Sequence, residues 1–266
     1  MTELQEVVSD ANIDGDELDE MLAGLSPEQW SSPTPAPGWT IAHQVAHLAA
    51  TFRLAGMAAS DPDAFMALMA RLGNNFDANV AVALSDFLSD PPQVLFGRWH
   101  AERVAAYKAL AAVDPAGVVP WLVNPLPPAV LASAGMMEMF AHGQDIADAL
   151  GVTRPRTDRI RHLVAFAVRT WDFGYLARRL PPPAEKFRFE LVAPSGARWE
   201  FGPVDATQRI GGYADDFCLL VSRRRHHADL ALVASGEHAR RWLDIAQAYR
   251  GPAGPGRSPG QFNDRP

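Results

Sequence analysis

Cysteine is almost absent. Among 266 residues there is one, Cys218. No disulfide can form within the chain, which fits a reducing compartment. Lysine is scarce too: Lys108 and Lys186 are the two lysines among 24 basic residues, and 31 acidic residues bring the net charge to −7. A net anion is not drawn to nucleic acid or to an anionic bilayer, so neither partner is expected. The opening residues Met1-Thr2-Glu3-Leu4-Gln5-Glu6 lack a basic segment followed by an apolar one, so they do not read as a signal peptide. Residues 115–137 carry no charge and are long enough to suggest a membrane span. Pro115, Pro120, Pro125, Pro127 and Pro128 interrupt them, however, and Asn124 lies midway. A lipid-exposed helix there would leave carbonyls unpaired. The stretch reads as a buried loop feeding a helix, and the protein as cytoplasmic.

What is present suffices for a large core. The chain is 48% hydrophobic and 21% charged, a globular balance at a length suited to one large domain or two ordinary ones. Helical spacing dominates to about residue 180. Leu4, Val7, Val8, Leu18, Met21, Leu22 and Leu25 predict an opening helix, broken near Gly15. Thr40 is placed to cap a helix over 41–58 after a proline-rich loop. Further helices are expected from Ser60 or Asp61 to Leu72, over 92–113, over 129–149 with Gly151 as the stop, and from Thr157 or Asp158 to about Arg179. After Pro181-Pro182-Pro183 the pattern changes. Phe187, Phe189 and Leu191 alternate with charged residues, Pro194-Ser195-Gly196 reads as a turn, and Ala197, Trp199 and Phe201 alternate on the return. A helix over 213–223, a strand over 229–233 and a helix over 236–249 complete a small α+β unit. The last 16 residues hold four Gly and four Pro and are expected to be disordered. The predicted organisation is a helical domain over 1–180, an α+β domain over 185–250 and a tail over 251–266.

The chemistry concentrates in Glu138, His142 and Asp145. At 100° per residue, positions i, i+4 and i+7 fall within about 40° of one another, so all three project from one helical stripe. Their neighbours Met136, Met137, Met139, Phe140, Ala141 and Ile146 are core-like. A carboxylate in such surroundings is costly unless paired or bound to a cation. Glu138 and Asp145 lie roughly 10 Å apart along the axis, too far to share an ion easily, whereas Glu138 and His142 are about 6 Å apart and can converge. His142 with Asp145 is the competing pair. The helix over 41–58 offers His43 and His47, also at i and i+4, and either could complete a two-His-one-carboxylate site with open positions for water or substrate. Against this, a Glu/His pair at i, i+4 is commonly an ordinary helix pair.

Trp39-Thr40-Ile41-Ala42-His43-Gln44-Val45-Ala46-His47-Leu48-Ala49, after Pro37-Gly38, resembles the W-T-x-x-x-x-x-x-H-L-A signature of the DinB-like bundle. More specifically, it resembles the metal-binding domain of mycothiol-dependent maleylpyruvate isomerases, whose second motif is matched by Glu138, His142 and Asp145. With Gln29-Trp30 the likeness spans about residues 3–180. It implies a mainly α chain, a DinB-like four-helix bundle followed by a small α+β domain. It also implies a divalent metal, usually zinc, held by His47, Glu138 and His142. His43 falls outside the matched ligand position, as an orienting group or simply a helix residue, and Asp145 is expected to orient a ligand or pack the helix. Asp215 to Arg225 and Trp242-Leu243 resemble, more weakly, the α+β domain that follows in these proteins. A fainter likeness is to a domain of wyosine-base formation, which the acidic balance does not support.

The resemblance further implies mycothiol or a similar low-molecular-weight thiol as co-substrate and a small electrophile as substrate. Cys218, among Phe217, Leu219 and Leu220, reads as a small buried hydrophobe, so the sulfur would come from outside. A metal with an open position would hold the thiolate for attack on an electrophilic carbon. Loss of the thiol after bond rotation gives isomerisation, and retention gives S-transfer. Arg223 and Arg224, in the run Arg223-Arg224-Arg225-His226-His227, could bind a carboxylate of thiol or substrate. A solvated helix end explains them equally well. Trp99, His100 and His162 could line the pocket but read more simply as core residues. The alternatives are a non-catalytic metal-binding or stress module and a metal-dependent hydrolase. A monomer or weak homodimer is expected.

Overall fold

A computed structural model describes residues 2–73, 75–122 and 124–262. The chain divides into two compact units, Met1–Val152 and Thr153–Pro266. Residues 153–180, assigned to the helical domain from the sequence, therefore belong with the second unit.

The first unit consists of α1 (Glu3–Ala23), α2 (Pro27–Trp30), α3 (Ile41–Ser60), α4 (Pro62–Met69), α5 (Phe76–Leu88), α6 (Pro92–Ala112) and α7 (Pro128–Leu150). The starts follow local chemistry. Thr2 with Gln5 and Ser26 with Gln29 form capping boxes, Asp61 caps α4 and Asn75 caps α5. Pro92 and Pro128 occupy first-turn positions, where a missing N–H costs nothing. Gly151 ends α7 in the left-handed region at φ 68°.

The four long helices α1, α3, α6 and α7 form the bundle: α3 packs on α6 and α7, and α1 on α7 and α6. Small residues bring α3 close to α6, since a Cβ on Gly56 would stand 3.3 Å from the Ala106 Cα. Phe52 meets Trp99 and Tyr107 edge-on, each at 5.3 Å between centroids, in a core that also takes in Leu18, Val45, Leu131 and Met139. Helix α1 runs unbroken through Gly15. That glycine provides room for Arg103, which is 1% exposed and ion-paired to Asp16 and Asp19. The uncharged stretch is indeed a loop feeding α7, closed by paired backbone bonds between Val119 and Leu126. It is not a buried loop: of its described residues before Pro128, Val119 alone is buried. No helix among the described residues is long and apolar enough to cross a membrane.

In the second unit the expected helix from 157 to 179 is divided into a 3-10 turn (Asp158–Ile160), α8 (Arg161–Arg169) and α9 (Phe173–Ala177). Four strands follow in the spatial order β2-β1-β3-β4: β1 (Phe187–Val192), β2 (Arg198–Phe201), β3 (Gln208–Tyr213) and β4 (Val233–Ser235). The β1–β2 hairpin closes at Gly196 (φ 86°), β3 runs parallel to β1, and β4 is antiparallel to β3. Helices α10 (Ala214–Val221) and α11 (Glu237–Ile245) complete the unit. Its core gathers Phe187, Phe189, Phe217 and Trp242, and the Trp242 indole N–H donates to the Trp171 carbonyl at 2.8 Å. Of the tail expected to be disordered, residues 263–266 lie outside the described residues. Residues 251–262 form no helix or strand, yet the Gly260 N–H donates to the Asp229 carboxylate at 2.8 Å and Arg225 lies over the Phe262 ring.

Candidate metal centre

Helix α3 begins at Thr40, whose hydroxyl and backbone N–H both face His43 Nδ1, at 2.8 and 3.3 Å. His43, the third residue of the helix, thus pairs with Thr40 in a capping box at the helix start. One turn on, His47 points across to α7. Its Nε2 lies 3.5 Å from Glu138 Oε2, and His142 Nε2 lies 3.2 Å from the same oxygen. One ligand atom from each of the three side chains falls within 4.8 Å of the others. Of His43 and His47, it is His47 whose ring nitrogen falls within 4.8 Å of ligand atoms of Glu138 and His142.

These dimensions fit a small divalent cation. Zinc with bonds near 2.0–2.1 Å and tetrahedral angles separates its ligand atoms by about 3.3 Å. Both Glu138 distances match that edge. The donor set, two imidazoles and one carboxylate, leaves a fourth position open. Burial raises the Glu138 pKa, but hydrogen bonds and the charges of His142 and His47 lower it by more, so the carboxyl is held far below the ordinary glutamate range. It is an anion, ready to act as a ligand.

Three groups surround the candidate ligands. The half-buried Trp39 indole stacks on His142 at 6.0 Å between centroids and lies tilted against His47 at 5.5 Å. The Thr51 hydroxyl lies 3.5 Å from His47 Nε2. Gln44, fully buried, accepts from His142 Nδ1. Asp145, also fully buried, is not among the converging ligand atoms. Its Oδ2 accepts from Gln44 Nε2 at 3.4 Å. Gln44 and Thr51 are absent from the sequence-based site. The signal for them is the polar line 44, 47, 51 along one face of α3, facing the line 138, 142, 145 on α7.

The remaining candidates lie elsewhere. Trp99 Nε1 and His100 Nδ1 both engage the Asp19 carboxylate, at 2.6 and 2.7 Å. Arg223 and Arg224 belong to the second unit, at the end of α10. Arg224 donates to the Ser222 carbonyl at 2.6 Å. Arg223 has φ 58°, donates from Nη2 to the Gly254 carbonyl at 3.3 Å, and keeps a buried Nη1 without a hydrogen-bond partner among the described residues. Burial lowers its pKa, with Arg257 and Arg224 adding like-charge repulsion. Cys218 is fully buried, and burial pushes its thiol well above the usual range.

Comparison with known proteins shows the family and the fold. Residues 14–147 match the family model of the mycothiol maleylpyruvate isomerase N-terminal domain, and residues 183–235 match that of wyosine base formation. An uncharacterized protein of Mycobacterium tuberculosis, from strains CDC 1551 and H37Rv, is 44% identical over 250 residues, covering 94% of this chain and 97% of that protein. Two crystal structures of the mycothiol-dependent maleylpyruvate isomerase share the fold. A histidine-to-alanine mutant superposes with a TM-score of 0.58 at 14% identity, covering 86% of this chain and 92% of that one. The other gives 0.54 at 16% identity, covering 87% and 92%.

Proposed function

The chain belongs to the mycothiol maleylpyruvate isomerase N-terminal family, and from that premise we propose that it binds one divalent cation, zinc, through His47, Glu138 and His142 and uses it to activate a small thiol of the mycothiol type. The reaction is isomerisation or S-transfer on a small electrophilic substrate. The observation that carries this reading is the convergence of the three ligand atoms within 4.8 Å inside the bundle.

Bound there, the cation would supply Lewis acidity that lowers the pKa of a thiol at its open position. The chain's own groups supply the rest. Glu138 brings the negative charge that offsets part of the cation's. Trp39 covers the His47 and His142 rings on one side and so limits the approach of water. Thr51 offers a hydroxyl beside the ligand nitrogen of His47. The buried Cys218, with its raised pKa, is unsuited to act as nucleophile, which supports an external sulfur.

Elemental analysis of the purified protein followed by a thiol-dependence screen with electrophilic acids tests this reading. One metal per chain and turnover that requires both metal and thiol are expected. Metal-dependent ester or amide cleavage without thiol would instead make the protein a hydrolase. Stoichiometric metal with no turnover in either assay would leave a binding module.

A further inference from the structure

Gln44 is a fully buried amide on the apolar side of α3. Burying it would be costly if its polar atoms lacked partners. They do not. Oε1 faces His142 Nδ1, and Nε2 donates to Thr34 Oγ1 at 2.9 Å and to Asp145 Oδ2 at 3.4 Å. The two ends of an amide are told apart by their partners, and Asp145 decides here. A carboxylate oxygen accepts, so the Gln44 atom facing it is the NH2, and the atom facing His142 is the carbonyl oxygen. That oxygen can bond the ring nitrogen only if the nitrogen carries a proton. His142 therefore carries a proton on Nδ1, which leaves Nε2, 3.2 Å from Glu138, as the nitrogen that can take a cation.

We propose that Gln44 is a positioning residue for the metal centre: by accepting from Nδ1 it selects Nε2 of His142 as the metal-binding nitrogen and fixes the ring plane, while Asp145 and Thr34 fix the amide. This rests on the metal reading above. A group that holds the far nitrogen of a ligating histidine typically governs metal affinity by about 10- to 100-fold. Gln44 differs from the usual carboxylate or backbone carbonyl in being neutral and orientable, which is why it needs two restraints of its own.

Two substitutions separate positioning from mere packing. Gln44→Leu keeps the volume and removes every hydrogen bond. Gln44→Glu also loses the donations to Thr34 and Asp145, and brings a like charge to Asp145, but keeps an acceptor for Nδ1. If Gln44 served only to tie α3 to its neighbours, both variants would lose thermal stability and neither would selectively lose metal. As a positioning residue, it makes Gln44→Leu bind zinc about 10- to 100-fold more weakly, by competition with a chelator, with an altered cobalt absorption spectrum. Gln44→Glu stays within about tenfold of the parent even though it is the less stable protein. Nitrogen-15 NMR of the zinc-loaded full chain, which needs no variant, shows His142 protonated at Nδ1 and metal-bound at Nε2. Parental zinc affinity and an unchanged cobalt spectrum in a folded Gln44→Leu protein overturn the proposal, as does metal on Nδ1. Parent protein that binds no zinc overturns it together with the metal reading, so the two failures are told apart.

Discussion

The His47 and His142 imidazoles lie with their centroids 4.4 Å apart and their planes tilted by 35°, one on α3 and one on α7. On the proposed reading α7 supplies two of the three ligands and α3 the third, so loss of either histidine leaves the set incomplete. His47→Ala and His142→Ala are each expected to fold and to lose stoichiometric metal under mild chelation, read by elemental analysis. Full metal content in either variant would show that the ligands lie elsewhere.

Glu138 sets an acid limit on the metal-free protein. Its pKa in the folded chain is lowered by the two histidines by more than burial raises it. The unfolded value is near 4.3. A group whose pKa falls on folding contributes stability that is fully present above the unfolded value and is lost as pH drops through the folded one. In the metal-free state, the stability gap between the parent and Glu138→Gln should therefore narrow as pH falls from about 5 to about 2. Denaturant titrations across that range check it, and a gap that widens with acid would contradict it.

Much of this centre is legible in one dimension because helix geometry is local. Glu138 and His142 share a stripe whatever the rest of the chain does, Thr40 starts α3 and Gly151 stops α7. What depends on distant partners is not legible. Gln44 looks like any helical glutamine until His142, 98 positions away, reaches it. Gly15 looks like a break until Arg103 fills the space a side chain would take. Helix α5 is unanticipated because it buries only Leu84 and Phe87, too few for a clear stripe. Strand β3 is hidden by Gly211-Gly212, which lower strand propensity even where the ladder holds them. The division of the 157–179 helix follows from tertiary bonds, with the Thr170 hydroxyl reaching the Phe166 and Ala248 carbonyls and Gly174 packed against the Ile245 backbone.

The Gly15–Arg103 contact gives a prediction whose sign is diagnostic. In an exposed helix interior, replacing Gly by Ala stabilises by about 1 kcal/mol. At Gly15 the new Cβ would stand 2.3 Å from Arg103 Nη1. The guanidinium cannot swing aside freely, since its nitrogens hold Asp16, Asp19 and the Asn12 carbonyl. Gly15→Ala is expected to destabilise by about 1–3 kcal/mol, as overpacking does. Urea unfolding measures it, and any gain in stability would mean that α1 and α6 are not packed in this way.

Trp39 should report the cation optically. Its ring sits 5.5 Å from that of His47 and 6.0 Å from that of His142, so an ion held between those ligands is close to the indole. Trp30 and Trp99, by contrast, are buried in the bundle core, and neither makes a ring contact with these histidines among the described residues. Cobalt or copper added to the metal-free protein is expected to quench part of the tryptophan emission with a one-to-one end point. Trp39→Phe should remove most of that quenching while leaving metal stoichiometry intact, because the indole packs on the ligand rings and donates no ligand atom. Quenching of parental size in Trp39→Phe would place the ion nearer another tryptophan, and loss of stoichiometric metal would make the indole part of what holds the ligand rings in place.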